Sequence, residues 1–129
     1  MKFSMGLRSV VGLTLLAASV SVAAQNKEVN VFNWAEYTAP DTISGFEKAT
    51  GIKVNYSVYD SNDALQARLL TGKSGFDVVV PSTHYAARQI EGGLFQKLDK
   101  SKIPNWKHLD PAIMDVVATV DPGNEYLIP

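Results

Sequence analysis

The sequence predicts an α/β domain built on a mainly parallel sheet. Three observations carry this. Short runs rich in β-branched residues alternate with runs whose apolar residues recur three or four apart, in the order strand, helix, strand, helix, strand. Cap and turn residues fall between these runs, where such a pattern needs them. The third strand-like run, FDVVV, holds three consecutive valines, the pattern of a strand buried on both faces.

Val29 to Phe32 (VNVF) reads as the first strand. Pro40 and Asp41 open a helix, because proline suits the first helical position and an acid there complements the dipole. Ile43 and Phe46 share one face of it, and Gly51 supplies a left-handed stop. Ile52 to Val58 (IKVNYSV) alternates as the second strand. Ser61 or Asn62 can cap the next helix, on which Leu65 and Leu69 stack four apart before Gly72 ends it. Phe76 to Val80 is the third strand, closed by Pro81. Thr83 is the candidate cap of a third helix carrying Ala86 and Ile90 on one side, stopped at Gly92-Gly93. From Leu94 to Trp106 the chain reads as loop. A weaker helix runs from Pro111 to Thr119, Asp121-Pro122-Gly123-Asn124 is a turn, and Tyr126 to Ile128 reads as a new strand. Right-handed crossovers predict strand order 2-1-3.

The first two dozen residues stand apart. Lys2 and Arg8 precede an uncharged apolar run, Val10 to Val20, that ends in Ser21-Val22-Ala23-Ala24. That is the pattern of a secretory signal peptide, too short to span a membrane, with cleavage expected after Ala24. Domain organisation is therefore a leader over 1–24 and an α/β lobe over 25–129. Without Lys2 and Arg8 the 12 basic residues fall to 10 against 13 acidic, a net −3 that leans towards cationic ligands and away from nucleic acid. The chain has no cysteine, which excludes disulfides, thiolate metal sites, a cysteine nucleophile and a lipoprotein anchor.

Ligands of open parallel sheets sit beyond the C-terminal ends of the strands, at the switch point. Two segments occupy that place. Asn33-Trp34-Ala35-Glu36-Tyr37 puts two aromatics around a carboxylate, which suits an amine with an apolar body: an aromatic face attracts a cation by roughly 0.5–2 kcal/mol, and a carboxylate adds a charge-assisted hydrogen bond. The same residues also read as a core Trp and Tyr beside a solvated Glu. Ser82-Thr83-His84-Tyr85 offers a hydroxyl and an imidazole, or simply a helix cap beside an exposed histidine. Ser82 and His84 form no triad and lack a nucleophile elbow. His84 and His108 lack metal-ligand spacing. Asp60-Ser61-Asn62-Asp63 is better explained by helix capping than by calcium.

Three segments resemble one family: FNWAEYTAPDTISGFEKATGIKV, YDSNDALQARLLTGKSGFDVVVPSTHY and LFQKLDKSKIPNWKHLDP. They are similar to the opening third of bacterial periplasmic polyamine-binding proteins, the putrescine/spermidine type that serves ABC importers. The resemblance implies a type II periplasmic-binding-protein-like fold, of which this stretch would be an incomplete N-terminal lobe, with the ligand enclosed between two lobes. It implies that Trp34 and Tyr37 pack on the polyamine, that Glu36 faces a terminal ammonium and that Ser82 lines the pocket. His84 joins them at a position where relatives vary, and Ala35 departs from the Ser or Thr often found there. It further implies a soluble periplasmic monomer that hands its ligand to an inner-membrane ABC permease, with no enzymatic activity, cofactor or metal. The competing expectations are a binding protein of the same fold for another solute and a polyamine sensor.

Overall fold

In the computed structural model, which describes residues 27–129, three parallel strands form one open sheet. The leader assigned to residues 1–24 lies outside the described residues. β1 (Glu28–Trp34) is central, flanked by β2 (Lys53–Tyr59) and β3 (Val78–Val79), which is the expected 2-1-3 order. β1 and β2 pair from Glu28↔Lys53 through Trp34↔Tyr59, while β3 pairs only at Val31↔Val78 and Phe32↔Val79. The register brings Trp34, Tyr59 and the residues just after Val79 to the same end of the sheet.

Four α-helices follow: α1 (Thr42–Thr50), α2 (Asn62–Leu69), α3 (Thr83–Glu91) and α4 (Pro111–Ala118). α1 begins two residues later than expected. Asp41 is its N-cap and Pro40 precedes the cap, while Gly51 adopts the left-handed stop at φ 69°. Ser61, not Asn62, caps α2, its hydroxyl accepting from the Ala64 amide at 3.2 Å. Asp110 caps α4 through the Ala112 amide at 2.8 Å, with Pro111 at the first helical position. Leu65 and Leu69 of α2 are buried with Tyr59, and Phe32, Trp34, Val79, Leu94 and Phe95 pack around them. α3 buries Ala86 and Gln89, and α4 buries Val117.

Several expectations fail for identifiable reasons. β1 extends two residues beyond Phe32, because β2 offers ladder partners as far as Tyr59, and this moves Asn33 and Trp34 from loop into strand. Val78 is 47 % exposed, so the valine run is not buried on both faces. It lies on the edge of the described sheet, and the Asp77 carboxylate shortens the ladder by accepting from the Asn30 amide at 2.8 Å and the Asn30 side chain at 3.1 Å. The cap position of α3 is Ser82 rather than Thr83, without a capping side-chain bond. The stretch read as loop contains two 3₁₀ turns, Lys100–Lys102 and Pro104–His108, the first capped by Asp99. Tyr126 to Ile128 is not a strand. The buried Asp121 carboxylate accepts from the amides of Glu125, Tyr126 and Leu127 at 2.8–3.0 Å, so a side chain takes the donors a neighbouring strand would use.

Candidate functional site

At the C-terminal end of β1 the chain turns sharply. Asn33 is buried and its side-chain carbonyl accepts from the Trp34 amide at 2.7 Å. The Ala35 amide donates to the Tyr59 carbonyl, and Glu36 then takes a left-handed conformation at φ 59°. For an L-residue that geometry costs about 1–2 kcal/mol, and such strain gathers at functional sites. Glu36 is exposed, and its neighbours in the turn are two aromatics, Trp34 and Tyr37. Among the described residues, nothing forms a hydrogen bond or ion pair with the Glu36 carboxylate. Tyr37 follows, 70 % exposed, its ring 6.3 Å from that of Trp34.

Trp34 is held on its other side. Its ring lies 4.8 Å from that of Tyr59, and its indole N–H donates to the Val80 carbonyl at 2.9 Å. The Tyr59 hydroxyl donates to the same Val80 carbonyl. Burial first, then the neighbouring Tyr37 and Tyr56, pushes the Tyr59 phenol up to about 12, so it remains a protonated donor at physiological pH. The shared acceptor lies two residues before Ser82 and ties the two candidate loops together across the sheet. Phe32 closes the cluster beneath, edge-on to Tyr59 and stacked on Phe76.

Ser82 is fixed by a reciprocal pair of bonds to Asn62. Its amide donates to the Asn62 side-chain carbonyl at 3.0 Å, and its hydroxyl accepts from the Asn62 amide group at 2.9 Å. One lone pair of that hydroxyl and its proton stay uncommitted. His84 stands on the first turn of α3, exposed, packed edge-on against Tyr85 at 4.9 Å. It makes no hydrogen bond or ion pair with Glu36 among the described residues. Tyr85 in turn donates to Asp63 at 2.6 Å, a bond that raises its phenol pKa above the ordinary value and ties α3 to the start of α2.

A sizeable hollow lies elsewhere. About 880 Å³ in volume, it is walled mainly by apolar side chains such as Leu69, Phe76, Val78, Val117 and Tyr126, and holds none of the five candidate residues. A smaller one of about 340 Å³ adjoins the site through Phe32, Ala35, Val58, Tyr59, Asp60 and Ala64. The candidate residues are therefore chosen by their chemistry and their place at the strand ends, not by volume. Among the described residues no cluster of three or more His, Asp or Glu side chains could hold a metal ion.

The family model for bacterial extracellular solute-binding proteins matches residues 41–129. The chain belongs to that family. Ser82 and His84 lie inside the matched stretch, whereas Trp34, Glu36 and Tyr37 precede it. This solute-binding protein is 54 % identical over 124 residues to the putrescine-binding periplasmic protein SpuD of Pseudomonas aeruginosa, and 49 % identical over 124 residues to the putrescine-binding periplasmic protein PotF of Escherichia coli. Each alignment covers 95 % of this chain and 34 % of the relative, so the chain spans about a third of the length of these curated relatives. Among solved structures, it superposes on a putative spermidine/putrescine ABC transporter protein from Listeria monocytogenes with a TM-score of 0.75 at 41 % identity, covering 81 % of this chain and 32 % of that one. The substrate-binding protein PotD of a Streptococcus pneumoniae spermidine/putrescine ABC transporter gives 0.76 at 30 % identity, covering 80 % and 31 %. The α/β architecture on an open parallel sheet is that of periplasmic binding proteins.

Three supporting groups in this solute-binding protein were missed from the sequence: Tyr59, Asn62 and the Val80 carbonyl. The sequence carries only an inexact signal for Tyr59: aligning the strand ends read there, Phe32 and Val58, sets it opposite Asn33, one residue off its pairing with Trp34. Asn62 stands in the sequence only as an alternative cap; once Ser61 takes that role, Asn62 is free to hold Ser82. A backbone carbonyl leaves no trace in the residue pattern.

Proposed function

We propose that this chain supplies the N-terminal lobe of a periplasmic solute-binding protein that captures putrescine, spermidine or a similar polyamine and delivers it to an inner-membrane ABC permease. Residues 1–24 are the export signal in this reading, and N-terminal sequencing of the exported protein checks it. The observation that carries the reading is the exposed, unpaired Glu36 carboxylate in a left-handed turn at the strand ends, next in the chain to Tyr37, whose ring lies 6.3 Å from that of Trp34. An ammonium group needs a counter-charge and a polarizable apolar wall, and these three side chains offer both. Ser82 adds a fixed hydroxyl acceptor, and His84 lies two residues further on, exposed at the start of α3. The names of the similar proteins, both putrescine-binding, support the same ligand class.

Calorimetric titration of the full-length protein with putrescine and spermidine tests this. Tyr37→Ala is the cleanest variant, because the ring is exposed and its removal costs little stability. Tyr37→Ala and Glu36→Gln each weaken polyamine binding by about 1–2 kcal/mol. Trp34→Ala weakens it by about 1–3 kcal/mol, but this ring also packs on the core, so its melting temperature must be read alongside. Wild-type affinity in both Tyr37→Ala and Glu36→Gln would make the first loop structural only.

A further inference from the structure

We infer that Tyr59 is a positioning residue for the candidate polyamine site, holding the Trp34 indole and the Ser82 loop in one arrangement through the Val80 carbonyl they share. This rests on the reading of the site as a polyamine site. Tyr59 is 5 % exposed and is not offered as a ligand contact. Its influence runs through three strand ends. It lies opposite Trp34 in the β1–β2 register, and the two rings touch at a centroid distance of 4.8 Å and an angle of 54°. Its hydroxyl and the Trp34 indole N–H both donate to the Val80 carbonyl, while the Val80 amide donates back to the Phe32 carbonyl at 3.2 Å.

A carbonyl oxygen has two lone pairs, and here each receives a donor. One donor alone would leave the indole free to swing about a single hydrogen bond. Two donors from different strands fix the carbonyl against the sheet, and the indole plane with it. The same carbonyl belongs to the peptide bond leading into Pro81 and Ser82, so the restraint extends to the second loop. Proline stiffens that step, because its ring fixes φ. Tyr59 thus sets how the aromatic wall faces the hydroxyl acceptor, and a misplaced wall loses both apolar contact and cation–π attraction.

Tyr59→Phe in the full-length protein keeps the ring and removes only the donor. The expected result is putrescine affinity reduced about threefold to thirtyfold. Two readouts separate positioning from general damage. With 5-fluorotryptophan incorporated, the ¹⁹F resonance that vanishes in Trp34→Phe belongs to Trp34; in ligand-free Tyr59→Phe it shifts or broadens while other resonances stay. In a Trp34→Phe background, adding Tyr59→Phe costs less than half of what it costs alone, because the group it positions has gone. Unchanged affinity in Tyr59→Phe overturns the inference, as does a loss that is fully additive with Trp34→Phe and leaves the Trp34 resonance in place. Should Tyr59→Phe fail to fold, exchange of the Trp34 indole N–H in the wild-type protein decides: slow exchange supports the locked geometry and fast exchange refutes it. If the wild-type protein binds neither putrescine nor spermidine, the proposed function falls, while the fluorine and exchange measurements still decide whether Tyr59 holds Trp34.

Discussion

Glu36 carries two opposed demands. Its left-handed backbone destabilises the fold, while its carboxylate is the group that the proposed function sets against an ammonium. Glu36→Gly separates them. Glycine removes the local strain of about 1–2 kcal/mol and returns part of it, about 0.5–1 kcal/mol, through the greater freedom of the unfolded chain. Glu36→Gly therefore melts at the wild-type temperature or above it, yet binds polyamine more weakly. A lower melting temperature would show that the turn is not strained. His84 offers a second test at this scale. In the proposed site a fixed positive charge at this position repels a dication, so His84→Lys binds polyamine about threefold more weakly than His84→Ser. Equal affinities in the two variants would place His84 outside the site.

Elements are joined to the sheet by side chains acting on backbone, and one joint makes folding pH-dependent. Glu47 of α1 accepts from the Val54 amide of β2 at 2.8 Å and pairs with Lys53 at 2.9 Å. The Val54 amide first, then Lys53, holds its carboxyl below its ordinary value of 4.5. A depressed folded-state pKa stabilises the fold above that ordinary value, and the contribution is lost as pH falls through the folded value. Glu47→Gln should thus lower the melting temperature at pH 7 and flatten its decline as pH falls below the ordinary value of 4.5. An identical acid limb in the two proteins would refute the link. Such joints also decide what could be read from the sequence. The strand–helix order, the 2-1-3 sheet, the Gly51 stop and both candidate loops were legible, because periodicity and cap chemistry are local signals. The short β3 and the absent final strand were not, since Asp77 and Asp121 compete with the ladder through contacts that no local pattern announces. The candidate residues Trp34, Glu36, Tyr37, Ser82 and His84 could be named from the sequence one by one, but the joint between Trp34 and the Ser82 loop could not. It rests on register and on a main-chain oxygen.

Across the whole molecule, the described core is small for the surface it must stabilise. Among the described residues the buried apolar side chains are Tyr59, Leu65, Leu69, Ala86 and Val117, while Val78, Ile113 and Val116 are 47 %, 51 % and 63 % exposed. Chains of this size bury a modest fraction of their surface, and so few fully buried side chains leave little to offset conformational entropy. The candidate site is equally open. Glu36 and Tyr37 face solvent, and the first loop offers a single carboxylate, whereas the polyamines of the proposed function carry at least two ammonium groups. At 4 Å a charge pair is worth about 1 kcal/mol in bulk water and several times that in a sheltered site, so an open half-site forfeits most of the attraction. Residues 25–129 expressed alone should therefore melt broadly, bind a hydrophobic dye, and show no putrescine or spermidine binding at micromolar concentration. Calorimetry and thermal melting of that polypeptide, with and without polyamine, provide the check. Micromolar affinity accompanied by a ligand-induced rise in melting temperature would mean that Trp34, Glu36, Tyr37 and Ser82 form a self-sufficient site, and that enclosure contributes far less than the exposure of these groups implies.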